Sequence, residues 1–216
     1  TDIQLSLALE GGRWWYYQEP LSPSLGVQAQ LPILLAEYAF YRESDVQDYL
    51  ALLEDVPAYF QSILAFEQEK AQQGLSLSDA VLEDVILQCR AFVQDAGNSY
   101  LSQLFAQRLD SLDGLDETSR ARYTEANEDL LKTCVLPAYE ALASGLESLR
   151  GAGSNSGGLF YLPEGAAYYE YLVRTILGSQ RPVEEIYAML EQRLMECTLE
   201  MARLIQQDPS IIAVSA

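Results

Sequence analysis

Residues 44–70 read SDVQDYLALLEDVPAYFQSILAFEQEK, and the reading of this stretch decides the fold. Val46, Tyr49, Leu53, Val56, Phe60 and Ile63 recur at spacings of three and four, which draws one apolar stripe along a helix. Ser44-x-x-Gln47 has the form of a capping box at its start, and Gly74 stops the run. Pro57 lies inside the stripe, where a missing N–H and a ring clash predict two helices or a kink.

The same period continues towards the C-terminus. A helix is predicted from roughly Ser78 to Val93, with Val81, Val85, Cys89 and Phe92 inward. Another spans roughly Tyr100 to Leu112 and carries Leu101, Leu104, Phe105 and Leu109. A long helix from near Thr118 to about Leu149 turns Leu131, Val135, Leu142, Leu146 and Leu149 inward and should bend at Pro137. The last helix starts at Arg181-Pro182-Val183-Glu184-Glu185, with proline in the first turn and acids on the positive helix end. Val183, Ile186, Leu190, Leu194, Cys197, Met201 and Leu204 then hold one face until Asp208-Pro209 ends it.

Towards the N-terminus the pattern is less regular. Arg13-Trp14-Trp15-Tyr16-Tyr17 forms an aromatic cluster that either anchors a terminal segment onto a core or serves as a ligand platform. Pro20 and Pro23 punctuate an extended stretch, and a short helix over Ile33–Tyr38 has Pro32 near its start. The fold class expected is all-α. It is an irregular multi-helix bundle of about six to eight helices in a single helical domain, residues 1–216. Residues 1–43 form an aromatic and proline-rich N-terminal segment packed on that bundle.

Composition narrows the function classes. With 216 residues and 49% hydrophobic side chains the chain can bury one sizeable core. The net charge of −19 comes from 32 acidic and 13 basic residues, and the basic ones are scattered apart from Arg120 and Arg122. No basic patch could track a phosphate backbone, which excludes nucleic acid and docking on anionic lipid. No apolar run has the length of a membrane span, so direct membrane insertion is excluded, and no signal peptide is visible. The sequence begins at Thr1 and closes on the β-prone Ile211-Ile212-Ala213-Val214, and both ends read as cut from a longer chain.

The sequence has no histidine, which removes the commonest general base and zinc ligand. Cys89, Cys134 and Cys197 share no metal spacing and cannot all pair, and they read as buried small apolar side chains. Asp110–Glu117 lacks the alternating oxygens of a calcium loop and reads as a solvated turn. There is no P-loop and no G-x-G-x-x-G. What stands out is Gly157–Gly178, GGLFYLPEGAAYYEYLVRTILG. Here a glycine-rich approach and the Leu162-Pro163-Glu164-Gly165 turn lead into a helix carrying Tyr168, Tyr169 and Tyr171. Their hydroxyls can donate or accept, although tyrosines packed between neighbouring helices read the same way. Gln28 and Gln30 could point into a cleft or simply face solvent.

Three stretches together resemble a known family. They are Pro20-Leu21-Ser22-Pro23 with Gly26-Val27-Gln28-Ala29-Gln30-Leu31-Pro32-Ile33-Leu34-Leu35-Ala36-Glu37-Tyr38, then Ala65-Phe66-Glu67-Gln68-Glu69-Lys70 with Gly74-Leu75, and Leu162-Pro163-Glu164-Gly165-x-x-Tyr168-Tyr169 with Val183-Glu184-Glu185-Ile186. In this order they resemble the bacterial domain-of-unknown-function family 885, whose members are often secreted lipoproteins similar to gluzincin zinc metallopeptidases. The resemblance implies a parent peptidase whose zinc lies on an H-E-x-x-H helix outside this chain, which itself binds no cofactor and has no catalytic residue. The parent would be extracytoplasmic, secreted or membrane-anchored. The fragment would be a non-catalytic wall of its cleft, packed on the rest of the parent chain, with Gly165, Tyr168, Tyr169, Gln28 and Gln30 facing a peptide substrate. Ala166 departs from the basic residue expected there in close relatives, which weakens any grip of this turn on a substrate carboxylate. The rival readings are an acidic helical protein-interaction module and a helical enzyme using carboxylates with a divalent metal.

Overall fold

A computed structural model describes residues 12–95, 100–153 and 158–210. Gly157 and the apolar Ile211–Val214 segment lie outside these. Among the described residues the ordered elements are helical throughout: α1 Val27–Glu37, α2 Glu43–Gln72, α3 Asp79–Gln94, α4 Tyr100–Asp110, α5 Glu117–Leu130, α6 Leu136–Glu147, α7 Gly165–Leu177 and α8 Val183–Gln207. The all-α expectation holds, and eight α-helices fall at the top of the expected range. The chain divides into two compact units, one ending at Pro163 and the other beginning at Glu164.

The first unit is built around α2. Its stripe of Val46, Tyr49, Leu53, Val56 and Phe60 is buried in one core with Val85, Ile86 and Cys89 of α3, Phe105 of α4 and Tyr139, Leu142 and Leu146 of α6. Aromatic rings fill the centre edge to face. Phe40 meets Tyr49 at 5.6 Å and Phe105 at 5.4 Å, and Tyr139 meets Phe60 at 4.8 Å. Such pairs add to the burial of their area. Burial also pushes the Tyr49 hydroxyl and the Cys89 thiol up to about 12, so neither ionises in ordinary buffers. Two ion pairs, Arg90–Glu147 and Arg150–Glu83, each 2.7 Å, staple the α3–α6 seam at its solvent edge.

The two-helix reading at Pro57 is corrected, and ahead of Pro137 the chain takes up a π turn. α2 runs through Pro57 as one helix of 30 residues, because the packed stripe on both sides, including Val56 and Phe60, outweighs the single lost hydrogen bond. The long helix expected over Thr118–Leu149 is interrupted by a π-helical turn, Leu131–Val135. The widened turn sits directly before Pro137, at the second position of α6, which has no N–H to give the preceding turn. The buried positions Leu131, Val135, Leu142, Leu146 and Leu149 are those expected.

Helix starts follow their caps. Ser78 Oγ accepts from Val81 N at 3.4 Å, and Asp116 Oδ1 accepts from Ser119 N at 2.8 Å. At α2 the capping group is Asp45 rather than Ser44. Its Oδ2 accepts from Tyr41 N at 2.8 Å and Arg42 N at 3.1 Å, so the helix begins one residue ahead of Ser44. α1 likewise begins before Pro32, at Val27, because the turn ahead of it supplies its cap.

In the second unit, α7 ends on Gly178 in the left-handed conformation, φ 61°, the usual geometry of a helix stop. α8 then runs for 25 residues with none of them buried. Cys197 is therefore exposed, contrary to expectation, while Cys89 is buried and Cys134 half-buried. No described helix is long and apolar enough to cross a membrane.

Candidate functional site

The turn that feeds α1 is braced by a set of hydrogen bonds. Gly26 N donates to Ser22 O at 3.1 Å and Val27 N to Pro20 O at 2.9 Å, which closes residues 20–27 into a tight loop. Gly26 is required here, since a Cβ would collide with the Ser22 backbone and the Gln28 side chain. Gln28 is buried, and its Nε2 donates to Ser22 O at 2.6 Å and to Gln88 Oε1 at 2.9 Å. Gln88 Nε2 in turn donates to Pro23 O at 2.8 Å, and the buried Tyr139 hydroxyl donates to Gln28 O at 2.8 Å. Burial pushes the Tyr139 phenol far up, so it stays a protonated donor. One glutamine thus ties the loop to α1, α3 and α6. Gln30, partly exposed, makes only a long contact from Nε2 to Ser24 O at 3.4 Å.

Sequence reasoning missed Gln88 and Tyr139. Gln88 neighbours Cys89 on the inward face of α3, and Tyr139 follows Pro137 within the apolar period of α6. A polar residue at an inward position was the signal available.

A second buried feature lies in the Ala65–Lys70 stretch. Glu67 and Lys70, one turn apart on α2, form an ion pair at 3.3 Å with side chains only 1% and 2% exposed. Burial raises the Glu67 carboxyl above its ordinary value, and Lys70 only partly offsets that. The aromatic cluster covers this turn. Trp15 meets Phe66 edge to face at 5.6 Å, Tyr16 stacks on Phe66 at 5.9 Å, and the Tyr16 hydroxyl donates to Glu69 Oε2 at 3.1 Å. Trp14 and Tyr17 are buried. The cluster anchors the N-terminal segment onto α2. The Tyr17 hydroxyl reaches on to donate to the carbonyl oxygen of Pro163.

Elsewhere in the first unit, Pro57, Leu64, Thr133, Cys134 and Pro137 line an open, mostly apolar groove of about 420 Å³. It lies between the middle of α2 and the π turn.

The Leu162–Gly165 turn spans the boundary of the two units. Leu162 is extended, and Glu164 sits in the left-handed region at φ 52°, where a side chain is strained. Glu164 O accepts from Tyr168 N at 3.0 Å, so the strained residue starts α7 directly on the buried Gly165. Tyr168 is buried and its ring stacks on Tyr171, 5.9 Å between centroids. Tyr169 is 49% exposed. Of the residues singled out from sequence, Gln28 and Gln30 belong to the first unit, and Gly165, Tyr168 and Tyr169 to the second. Among the described residues, no group of three or more cysteine or acidic side chains is placed to hold a metal ion.

No curated protein matches this chain. A solved structure from Colwellia psychrerythraea, provisionally described as a lipoprotein, is similar in fold, with a TM-score of 0.79 at 16% identity. The likeness covers 87% of this chain and 32% of that one, so this chain spans about a third of that protein's length. At that identity the likeness shows the fold alone. The bacterial family of proteins of unknown function designated DUF885 matches residues 1–213, and the chain belongs to that family.

Proposed function

We propose that this chain is the helical, non-catalytic part of a bacterial zinc metallopeptidase and forms walls of its peptide-binding cleft. The zinc site would be carried by a region outside these residues. The observation that carries the reading is the strained turn at Glu164, which starts a helix on which Tyr169 is half exposed. Backbone strain in a non-glycine residue has to be held by its surroundings, and it concentrates at ligand-binding sites. Tyr169 is then the donor to a peptide carbonyl or to the developing oxyanion, with Tyr168, stacked on Tyr171, holding the helix in place. Membership of DUF885 and a similar fold inside a protein three times as long support placing the chain in a larger enzyme. The lipoprotein description of that relative supports an extracytoplasmic location.

The test is peptide hydrolysis by the full-length parent. Tyr169→Phe should lower turnover about 10²-fold or more, as loss of one oxyanion donor does, with the fold intact. Unchanged turnover in both Tyr168→Phe and Tyr169→Phe would refute the reading. The second reading, a protein-interaction module, draws support from the uncovered face of α8.

A further inference from the structure

α8 carries a heptad. Tyr187, Leu194 and Met201 take the a positions, and Val183, Leu190, Cys197 and Leu204 the d positions, at spacings of four and three without a break. The helix is continuous across all seven, about 37 Å at 1.5 Å per residue. The seam is open to solvent: Tyr187 and Leu190 are each 63% exposed, Leu194 69% and Met201 58%. Within the second unit a groove of about 620 Å³, lined by Leu177, Ile186, Met189 and Leu190 among others, runs beside the first half of this helix. An apolar seam of this length left in water is a surface for another helix.

The flanking charges select the occupant. In an antiparallel pair of two α8 helices, Leu194 of each copy packs against Cys197 of the other, Leu190 against Met201, and Tyr187 against Leu204. That register sets Arg193 beside Glu200 of the second copy, and symmetry repeats the attraction. The other flank sets Glu191 against Thr198 and Glu184 against Ile205, so no like charges meet. A parallel pair would set Arg193 against Thr198 and Glu200 against Ile205, with no attraction on either flank. Arg193 and Glu200 now hold only exposed partners on their own helix, Glu196 at 3.1 Å and Arg203 at 2.6 Å, and both are accessible from solvent.

We propose that α8 is a dimerisation helix and that its occupant is a second copy of this chain, docked antiparallel through the Val183–Leu204 seam. This goes beyond the peptidase reading and does not depend on it.

Sedimentation equilibrium of the purified 216-residue chain at micromolar concentrations tests the proposal. A dimer is expected, and Leu194→Lys should make it a monomer with unchanged helical content, since Leu194 is exposed in the single chain. Arg193→Glu should weaken association about tenfold, because two attractive rim pairs become repulsive. The double variant Arg193→Glu/Glu200→Arg should restore it. A monomer throughout the concentration range overturns the proposal and leaves the seam to other parts of a longer protein. A dimer that survives Leu194→Lys, or a double swap that restores nothing, overturns it equally.

Discussion

Replacing Lys70 by methionine keeps most of the apolar stem and removes its charge. Glu67 is then left 1% exposed without its cationic partner, on a helix whose backbone carbonyls cannot donate to it. Removing one member of a buried pair costs about 3–5 kcal/mol, because the remaining charge loses its compensation. The lower end applies here, since Glu67 already binds its proton more tightly than usual and can take one up. A loss of about 3 kcal/mol is a large fraction of the 5–15 kcal/mol typical of a domain. The double variant Glu67→Leu/Lys70→Met removes both charges and should recover most of that loss. Urea unfolding followed by tryptophan fluorescence reads the effect at the site. The two tryptophans, Trp14 and Trp15, lie in the cluster that covers this turn, and Trp15 meets Phe66 directly. If Lys70→Met falls within about 1 kcal/mol of the parent chain, a solvated pair would be the better description and the argument fails.

Three further outcomes are expected. Gln28→Leu deprives Ser22 O and Gln88 Oε1 of their donor and should cost about 1–3 kcal/mol, with a lower urea midpoint at unchanged slope. Pro57→Ala returns an N–H to the interior of α2 and removes the ring clash, and should raise stability by about 1–3 kcal/mol; a lower melting temperature would contradict it. Acid titration of stability should show two opposed contributions. Hydrogen bonds from Tyr41 N and Ser119 N, respectively, hold Asp45 and Asp116 below the ordinary carboxylate value, so their contribution is present above the unfolded pKa and is lost as pH falls through the folded one. Glu67 is shifted upward by burial, so its native state gains relative stability as pH falls through the folded value towards the unfolded one. Asp45→Asn and Asp116→Asn should each flatten the acid loss, and Glu67→Gln should steepen it.

Local periodicity was enough to read the stripe of α2, the inward positions of α6 and the start of α3 at Ser78, because each depends on neighbours three or four residues away. At the prolines packing decides. At Pro57 the buried stripe carries one helix through, and just before Pro137 the chain takes up a π turn. Asp45 displaced Ser44 as the cap because its carboxylate accepts two N–H groups where a hydroxyl and an amide would share the work. At the candidate site, the tyrosine helix and its turn were legible, but the left-handed residue was not. The glycine next to Glu164 reads as the natural place for that conformation, and the backbone puts it on the glutamate instead. Gln28 reads from sequence as facing a cleft or solvent, yet it is buried, and its partners Gln88 and Tyr139 lie 60 and 111 residues away. No local pattern encodes contacts at that range.

The exposed Cys197 shows where helical periodicity stops being informative. Its position in the apolar stripe of α8 is as regular as that of Cys89 in α3, and from sequence both read as buried. Periodicity specifies a face, not what covers it. Cys89 is covered because Tyr139 and its neighbours on α6 close over α3, joined by ion pairs along the seam. None of the 25 residues of α8 is buried, so its apolar face remains in water. The same stripe therefore marks a core in one unit and a docking surface in the other. Flanking charge tells the two apart: the α3–α6 pairs join two helices, whereas Arg193 and Glu200 pair along α8 itself and stay accessible to their counterparts on a second copy.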